Sequence, residues 1–230
     1  MNILLRHIIV FKKFMFFFVV AGAVSVVIPL IFHLISFPDI ELQMLSSVYV
    51  IFTTPVMLQW FWLGALPVLA VALWWGQIRG SFAILEVLRY ESYRKWITGV
   101  IVFVFFVVII FVLLGPFASL LYVHHMQLGL VLQIAYLLLM YLLALCTTLI
   151  ALTAWRLSVS SALLVIIVFH AINVLFCGIG FPNILTFFLM SERASLISIL
   201  LANCYVFGLT ALLVALAGPK LMSDGGDESL

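Results

Sequence analysis

Apolar positions in this chain run in long unbroken blocks rather than in alternation. Six blocks are predicted to be membrane-spanning helices, at residues 14–36, 55–75, 97–121, 129–155, 158–181 and 198–217. A helix needs about 20 apolar residues to cross a hydrocarbon core of about 30 Å. No charged side chain lies well inside any block, as expected when a central charge costs about 2.5–3.5 kcal/mol. Continuous runs exclude the strands of an outer-membrane barrel, which alternate. The first block is read as a span rather than a cleaved signal, because it is long and no small-x-small site follows it.

Composition strengthens that picture. Of 230 residues, 67% are apolar and 8% charged, and the mean hydropathy is +1.41. Soluble domains run near 45–50% apolar and about 25% charged. A secreted disulfide scaffold, a nucleic-acid binder and a disordered chain are therefore excluded. Cys146, Cys177 and Cys204 fall within apolar blocks without metal-type spacing and read as small buried residues.

The placement of charge sets an orientation. With a cytosolic N-terminus, Arg6, Lys12, Lys13, Arg79, Arg89, Arg94, Lys95, Arg156 and Lys220 are inside and only Arg193 is outside. Such asymmetry follows the positive-inside rule and puts both termini in the cytosol. Trp60, Trp62, Trp74, Trp75, Trp96 and Trp155 fall near block ends, where an indole N–H can stay wet.

The connecting segments carry their own patterns. In residues 1–13, Ile3, Leu4, Ile8 and Phe11 recur at helical spacing with Arg6, His7, Lys12 and Lys13 between them. This predicts an amphipathic helix on the cytosolic leaflet. The cytosolic segment 76–96 holds a second short helix, in which Ile84, Leu85 and Leu88 make an apolar face. That face must lie against the membrane or dock into a groove of another protein. The turn at 155–158 is short enough to make spans four and five antiparallel neighbours. Outside, residues 182–197 are too apolar for a water-facing loop and read as a re-entrant hairpin before span six. Residues 218–230 form an acidic cytosolic tail.

Few polar residues fall at mid-membrane depth. His170 lies near the middle of span five, with Asn173 three residues on and therefore on the same face. Two readings stand: hydrogen bonding across a helix pair, which fixes packing, or a role in a substrate path. Gln133 and Asn203 read as packing residues. Pro29 and Pro67 lie inside spans one and two and can kink them. There is no His-Glu-x-x-His, no Gly-x-Ser-x-Gly and no phosphate-binding Gly-rich loop with Lys-Ser/Thr. The chain is read as a non-enzyme with no metal site. His124 and His125 are adjacent but have no further ligand pattern.

The layout of an interfacial helix, six spans, a cytosolic helix between spans two and three and an outer hairpin resembles the permease subunit of a type-2 ABC exporter. The run LEVLRYESYRKW, beginning at Leu85, is similar to the coupling-helix loop of small permeases of bacteriocin or lantibiotic export and immunity. The resemblance implies that Ile84, Leu85 and Leu88 insert into a cleft of a cytosolic ABC ATPase. Arg89, Tyr90, Glu91 and Arg94 would form the rim, and Arg156 a second, smaller contact. It implies a second permease chain, because spans one, two and five of that family face a dimer centre. His170 and Asn173 would then lie near the path, with His33 and Gln59 towards its outer mouth. ATP and Mg would be held by the partner, not by this chain.

The function implied is ATP-driven export of an amphipathic peptide or lipid-like substrate, in antimicrobial-peptide export or self-immunity. The alternatives are a non-transporting immunity or sensor protein that binds a peptide without an ATPase, and a small intramembrane enzyme or haem-binding subunit.

Overall fold

The computed structural model describes residues 3–17, 19–20, 23, 54–79, 93–114, 128–154, 157–178 and 196–220. These residues are helical almost throughout, with no strand among them. Helix α1 spans Ile3–Phe11 and is followed by a 3-10 turn, Lys12–Phe14. Five long helices follow: α2 (Thr54–Arg79), α3 (Tyr93–Leu114), α4 (Leu128–Ala154), α5 (Val159–Gly178) and α6 (Leu196–Lys220).

Within α2, α3 and α4, the stretches Phe61–Arg79, Arg94–Leu113 and Ala135–Ala154 are long and apolar enough to cross a membrane. Val159–Leu175 and Ile199–Ala215 are shorter apolar helices. The chain is thus a helical protein with several membrane-capable helices. The expected first span lies largely outside the described residues, as do the outer hairpin and the acidic tail.

Helix boundaries differ from the apolar blocks for physical reasons. Helix α2 continues a turn past Trp75, where Ile78 is buried and Arg79 donates to the Leu157 carbonyl at 3.1 Å. Tertiary contact, rather than hydropathy, carries it to Arg79. Helix α3 starts before the block at 97, because Trp96 is buried and stacks on Trp75 at 5.5 Å. Its described residues run to Leu114.

The turn between α4 and α5 is tight, as its length demands. The Leu157 N–H returns to the Leu152 carbonyl at 3.3 Å, the reach of a bond that closes a helix C-terminus. Ser158 then caps α5: its Oγ accepts the Ser161 N–H at 3.1 Å, and its carbonyl accepts that of Ala162 at 2.9 Å.

Contacts fix how the helices run. Gly64 of α2 meets His170 of α5, and Gly76 meets Val159, so these two helices are antiparallel. They make the most extensive helix pair. Trp75 bonds Thr153, so the C-terminal ends of α2 and α4 lie together. The ends of α2 and α4 and the starts of α3 and α5 therefore share one end of the bundle, here termed the foot. Helix α6 packs on α3 and α4. Tyr136 donates to Asn203 Oδ1 at 2.6 Å, and Thr148 and Tyr205 hydroxyls meet at 2.9 Å.

The core lies between α2, α3 and α4, with Trp74, Phe103, Leu142, Leu149 and Ile150 fully buried. Here the expectation of wet indoles is corrected. Trp74, Trp75 and Trp96 are buried against neighbouring helices, so their N–H groups do not face water. Two large indoles side by side fill the gap between helices that a smaller side chain would leave open. The Trp75 N–H donates to Thr153 Oγ1 at 2.8 Å, whereas Trp74 Nε1 has no acceptor among the described residues.

Outward faces are apolar and regular. On α3 they carry Val102, Phe106, Ile109 and Leu113, and on α5 Leu164, Val168, Ile172 and Leu175. Each set recurs at three or four residues, one stripe of a helix. The opposite face of α5 carries Ala162, Ile166, His170, Asn173 and Val174, all buried.

Candidate functional site

The most polar point within the bundle is built on His170. Beyond the exposed Ser160 and Ser161 of its first turn, helix α5 is apolar except on this buried face, so His170 and Asn173, a turn apart, both enter the protein. Each solves its hydrogen bonding differently. Asn173 Nδ2 donates to the Phe169 carbonyl of its own helix at 2.8 Å. His170 reaches two other helices.

On α4, the Tyr141 hydroxyl lies 2.7 Å from His170 Nδ1. On α2, the Phe61 carbonyl lies 3.1 Å from Nε2. A carbonyl oxygen only accepts, so Nε2 carries the proton and donates. In the neutral ring Nδ1 is then the acceptor, and the Tyr141 hydroxyl donates to it. Both ring nitrogens are satisfied within one chain. The Phe61 ring also stacks on the imidazole at 5.8 Å with planes 15° apart, and the Tyr141 ring sits at 5.7 Å.

Gly64 makes this geometry possible. A β-carbon built there would fall inside the imidazole, 2.9 Å from Cδ2 and closer to Nε2 and Cε1. Small residues let membrane helices approach closely, and Gly64 lets α5 press its histidine flat against α2. Pro67 lies one residue short of a turn further on, buried, and α2 runs unbroken through it. Its missing N–H deprives the Leu63 carbonyl of its helical donor. Two carbonyls of α2 just before Gly64, those of Phe61 and Leu63, are thus bonded atypically.

From the junction to the foot, threonines of α4 bond along their own helix. Thr147 donates to the Leu143 carbonyl at 2.7 Å and Thr153 to the Ile150 carbonyl at 2.8 Å. Thr153 also receives the Trp75 N–H and so serves two helices. Among the described residues no three His, Cys, Asp or Glu side chains gather as a metal site.

The predicted site residues fall into four groups. His170 and Asn173 are brought together and buried. Gln59 lies in α2, two residues before the Phe61 carbonyl that His170 meets, and only its backbone is described. Arg94 is exposed in the first turn of α3. His33, Ile84, Leu85, Leu88, Arg89, Tyr90, Glu91 and Arg156 lie outside the described residues.

Sequence reasoning missed Tyr141, Gly64 and the Phe61 carbonyl. A signal existed for the first two: a tyrosine and a glycine at mid-span each demand a reason, a partner for the hydroxyl and a close neighbour for the bare backbone. Nothing in the sequence points to a particular carbonyl. Asn203, read as a packing residue, does bridge α6 to α4 through Tyr136, while its Nδ2 donates to Ile199.

No family model, curated protein or solved structure matches the chain.

Proposed function

We propose that the chain is the membrane subunit of an ATP-driven exporter of the type-2 ABC kind, acting as a dimer with a second permease chain. Its substrate is amphipathic, a peptide or lipid-like molecule, and its place is the bacterial inner membrane with both termini in the cytosol. ATP and Mg belong to a separate cytosolic subunit, because this sequence has no phosphate-cradling loop.

One observation carries the reading beyond the coupling-loop resemblance. Helix α2 is tied to the start of α5 at the foot by Arg79 and Leu157, and again at mid-bundle by Phe61 and His170. The segment that follows Arg79 is the one expected to dock on the ATPase. Force applied there reaches α2 and α5 together and favours their movement as one body, the kind of two-state shift that alternating access uses. The apolar outward faces of α3 and α5 suit lipid or a second chain and offer no charge to a hydrophilic cargo.

The test is gentle purification of the tagged full chain from its native membrane, followed by mass spectrometry. The expected result is a stoichiometric soluble partner that carries a phosphate-binding loop. A chain that comes out without such a partner, under conditions that keep known complexes intact, overturns the pump and leaves the peptide-binding immunity or sensor protein.

A further inference from the structure

Helix α1 has two opposed faces, and only one is accounted for by protein. His7 and Phe11, one turn apart, point inward and are buried. His7 lies 5.4 Å from both the Trp74 and Phe103 rings, and Phe11 lies 5.4 Å from Phe103 and 6.4 Å from Trp74. His7, grouped by sequence with the polar positions, is thus on the docking face. The opposite side, continuing through the 3-10 turn, carries Ile8, Ile9, Lys12, Met15, Phe16 and Val19, all exposed.

Lys12 interrupts this apolar stripe, with Ile8 a turn before it and Phe16 a turn after. Phe16 is 70% exposed and Ile9 55%, too much apolar surface to leave in water on so short a stretch. The depth agrees with lipid. Trp74 is five residues from Arg79 and Phe103 nine from Arg94, so α1 docks roughly 7 to 14 Å inward from the basic foot, at a rise of 1.5 Å per residue. Interfacial helices sink about 5–10 Å below the headgroups. An ammonium at that depth must snorkel outward along its stem and meet an anion.

We propose that the outer stripe of α1 is a binding surface for anionic phospholipid, in which Ile8, Ile9, Met15 and Phe16 lie among acyl chains and Lys12 holds the headgroup phosphate. Lys13, exposed beside it, adds charge. Docking of His7 and Phe11 onto α2 and α3 presents the stripe as a fixed ledge rather than a free peptide. The inference stands apart from the transport reading, because it needs no ATPase.

The experiment titrates the purified full chain, in neutral detergent, with phosphatidylglycerol or phosphatidylcholine and reads bound lipid by native mass spectrometry. The wild type is expected to prefer phosphatidylglycerol. Lys12→Gln should weaken that binding about fivefold, the usual strength of one basic residue at an anionic leaflet, and leave phosphatidylcholine binding unchanged. Lys220→Gln removes the same charge at the end of α6 and should bind like wild type. Near-ultraviolet circular dichroism checks that the aromatic packing of each variant is intact. Equal binding of the two lipids, wild-type affinity in Lys12→Gln, or an equal loss in Lys220→Gln overturns the proposal.

Discussion

The imidazole of His170 fills the volume that a side chain on Gly64 would need. Gly64→Ala must therefore push α5 from α2 or turn the ring out of its two hydrogen bonds. Overpacking of this kind costs about 1–3 kcal/mol. We expect that loss in reversible unfolding from mixed micelles. Adding His170→Ala to Gly64→Ala vacates the space, so the double variant should lose less than the two single losses together. Additive losses would show that the ring and the glycine do not compete for one volume.

The hydrogen bonding of His170 predicts a tautomer. The Phe61 carbonyl can only accept, so Nε2 carries a proton, and in the neutral ring Nδ1 is then bare to accept from Tyr141. Nitrogen-15 shifts of the His170 ring, assigned by comparison with His170→Leu, should show a protonated Nε2 and a bare Nδ1. A protonated Nδ1 would reverse the direction of the Tyr141 bond. Tyr141→Phe removes the donor to Nδ1 and should destabilise by about 0.6 kcal/mol, the average for such bonds between membrane helices, and by no more than about 1.7. His170→Leu also separates packing from a path role. Unchanged export and resistance in that variant leave packing as the whole explanation.

Two neighbouring indoles make a contrasting pair. The Trp75 N–H is satisfied by Thr153, and Trp74 Nε1 has no acceptor among the described residues. Thr153→Val keeps the shape of the side chain but strands the Trp75 donor in a buried site. An unsatisfied buried donor costs about 1–3 kcal/mol, and the melting temperature should fall accordingly. Trp75→Phe in that background removes the stranded group, so the hydroxyl should then matter little. A Thr153→Val loss of the same size in the Trp75→Phe chain would mean that the hydroxyl acts through its bond to Ile150 instead.

How much of this was legible in the sequence depends on the range of the interaction. Helix existence was legible, because long apolar blocks depend only on local composition, and α2 to α6 fall on five of the predicted blocks. The tight α4–α5 turn followed from its length alone. The ends of α2 and α3 were not legible, since Ile78, Arg79 and Trp96 are held by residues distant in sequence. For the same reason the wet indoles expected at Trp74, Trp75 and Trp96 were misread. Position near a block end suggests a membrane boundary, but whether an indole faces lipid or a neighbouring helix is decided by that neighbour. His170 and Asn173 stood out as polar residues in an apolar run. That one bonds across helices and the other back to Phe169 is a matter of geometry that spacing does not encode.

The transport reading makes its sharpest demand on Leu85. If the apolar turn of Ile84, Leu85 and Leu88 enters a groove of an ATPase, a carboxylate at its centre must be desolvated on docking and the complex is lost. The flanking helices keep their own anchors, because Trp96 stacks on Trp75 and Arg79 binds the Leu157 carbonyl. Leu85→Asp should therefore reach the membrane in normal amount and melt like wild type, yet purify without the ATPase and give no export or resistance. Arg79→Leu breaks the tie between α2 and the α4–α5 turn but leaves the apolar turn alone. It should keep the partner bound while lowering transport per ATP hydrolysed. If Leu85→Asp retains both partner and activity, this loop does not couple the chain to an engine. If Arg79→Leu transports as efficiently as wild type, α2 and α5 need not be joined at the foot to move together.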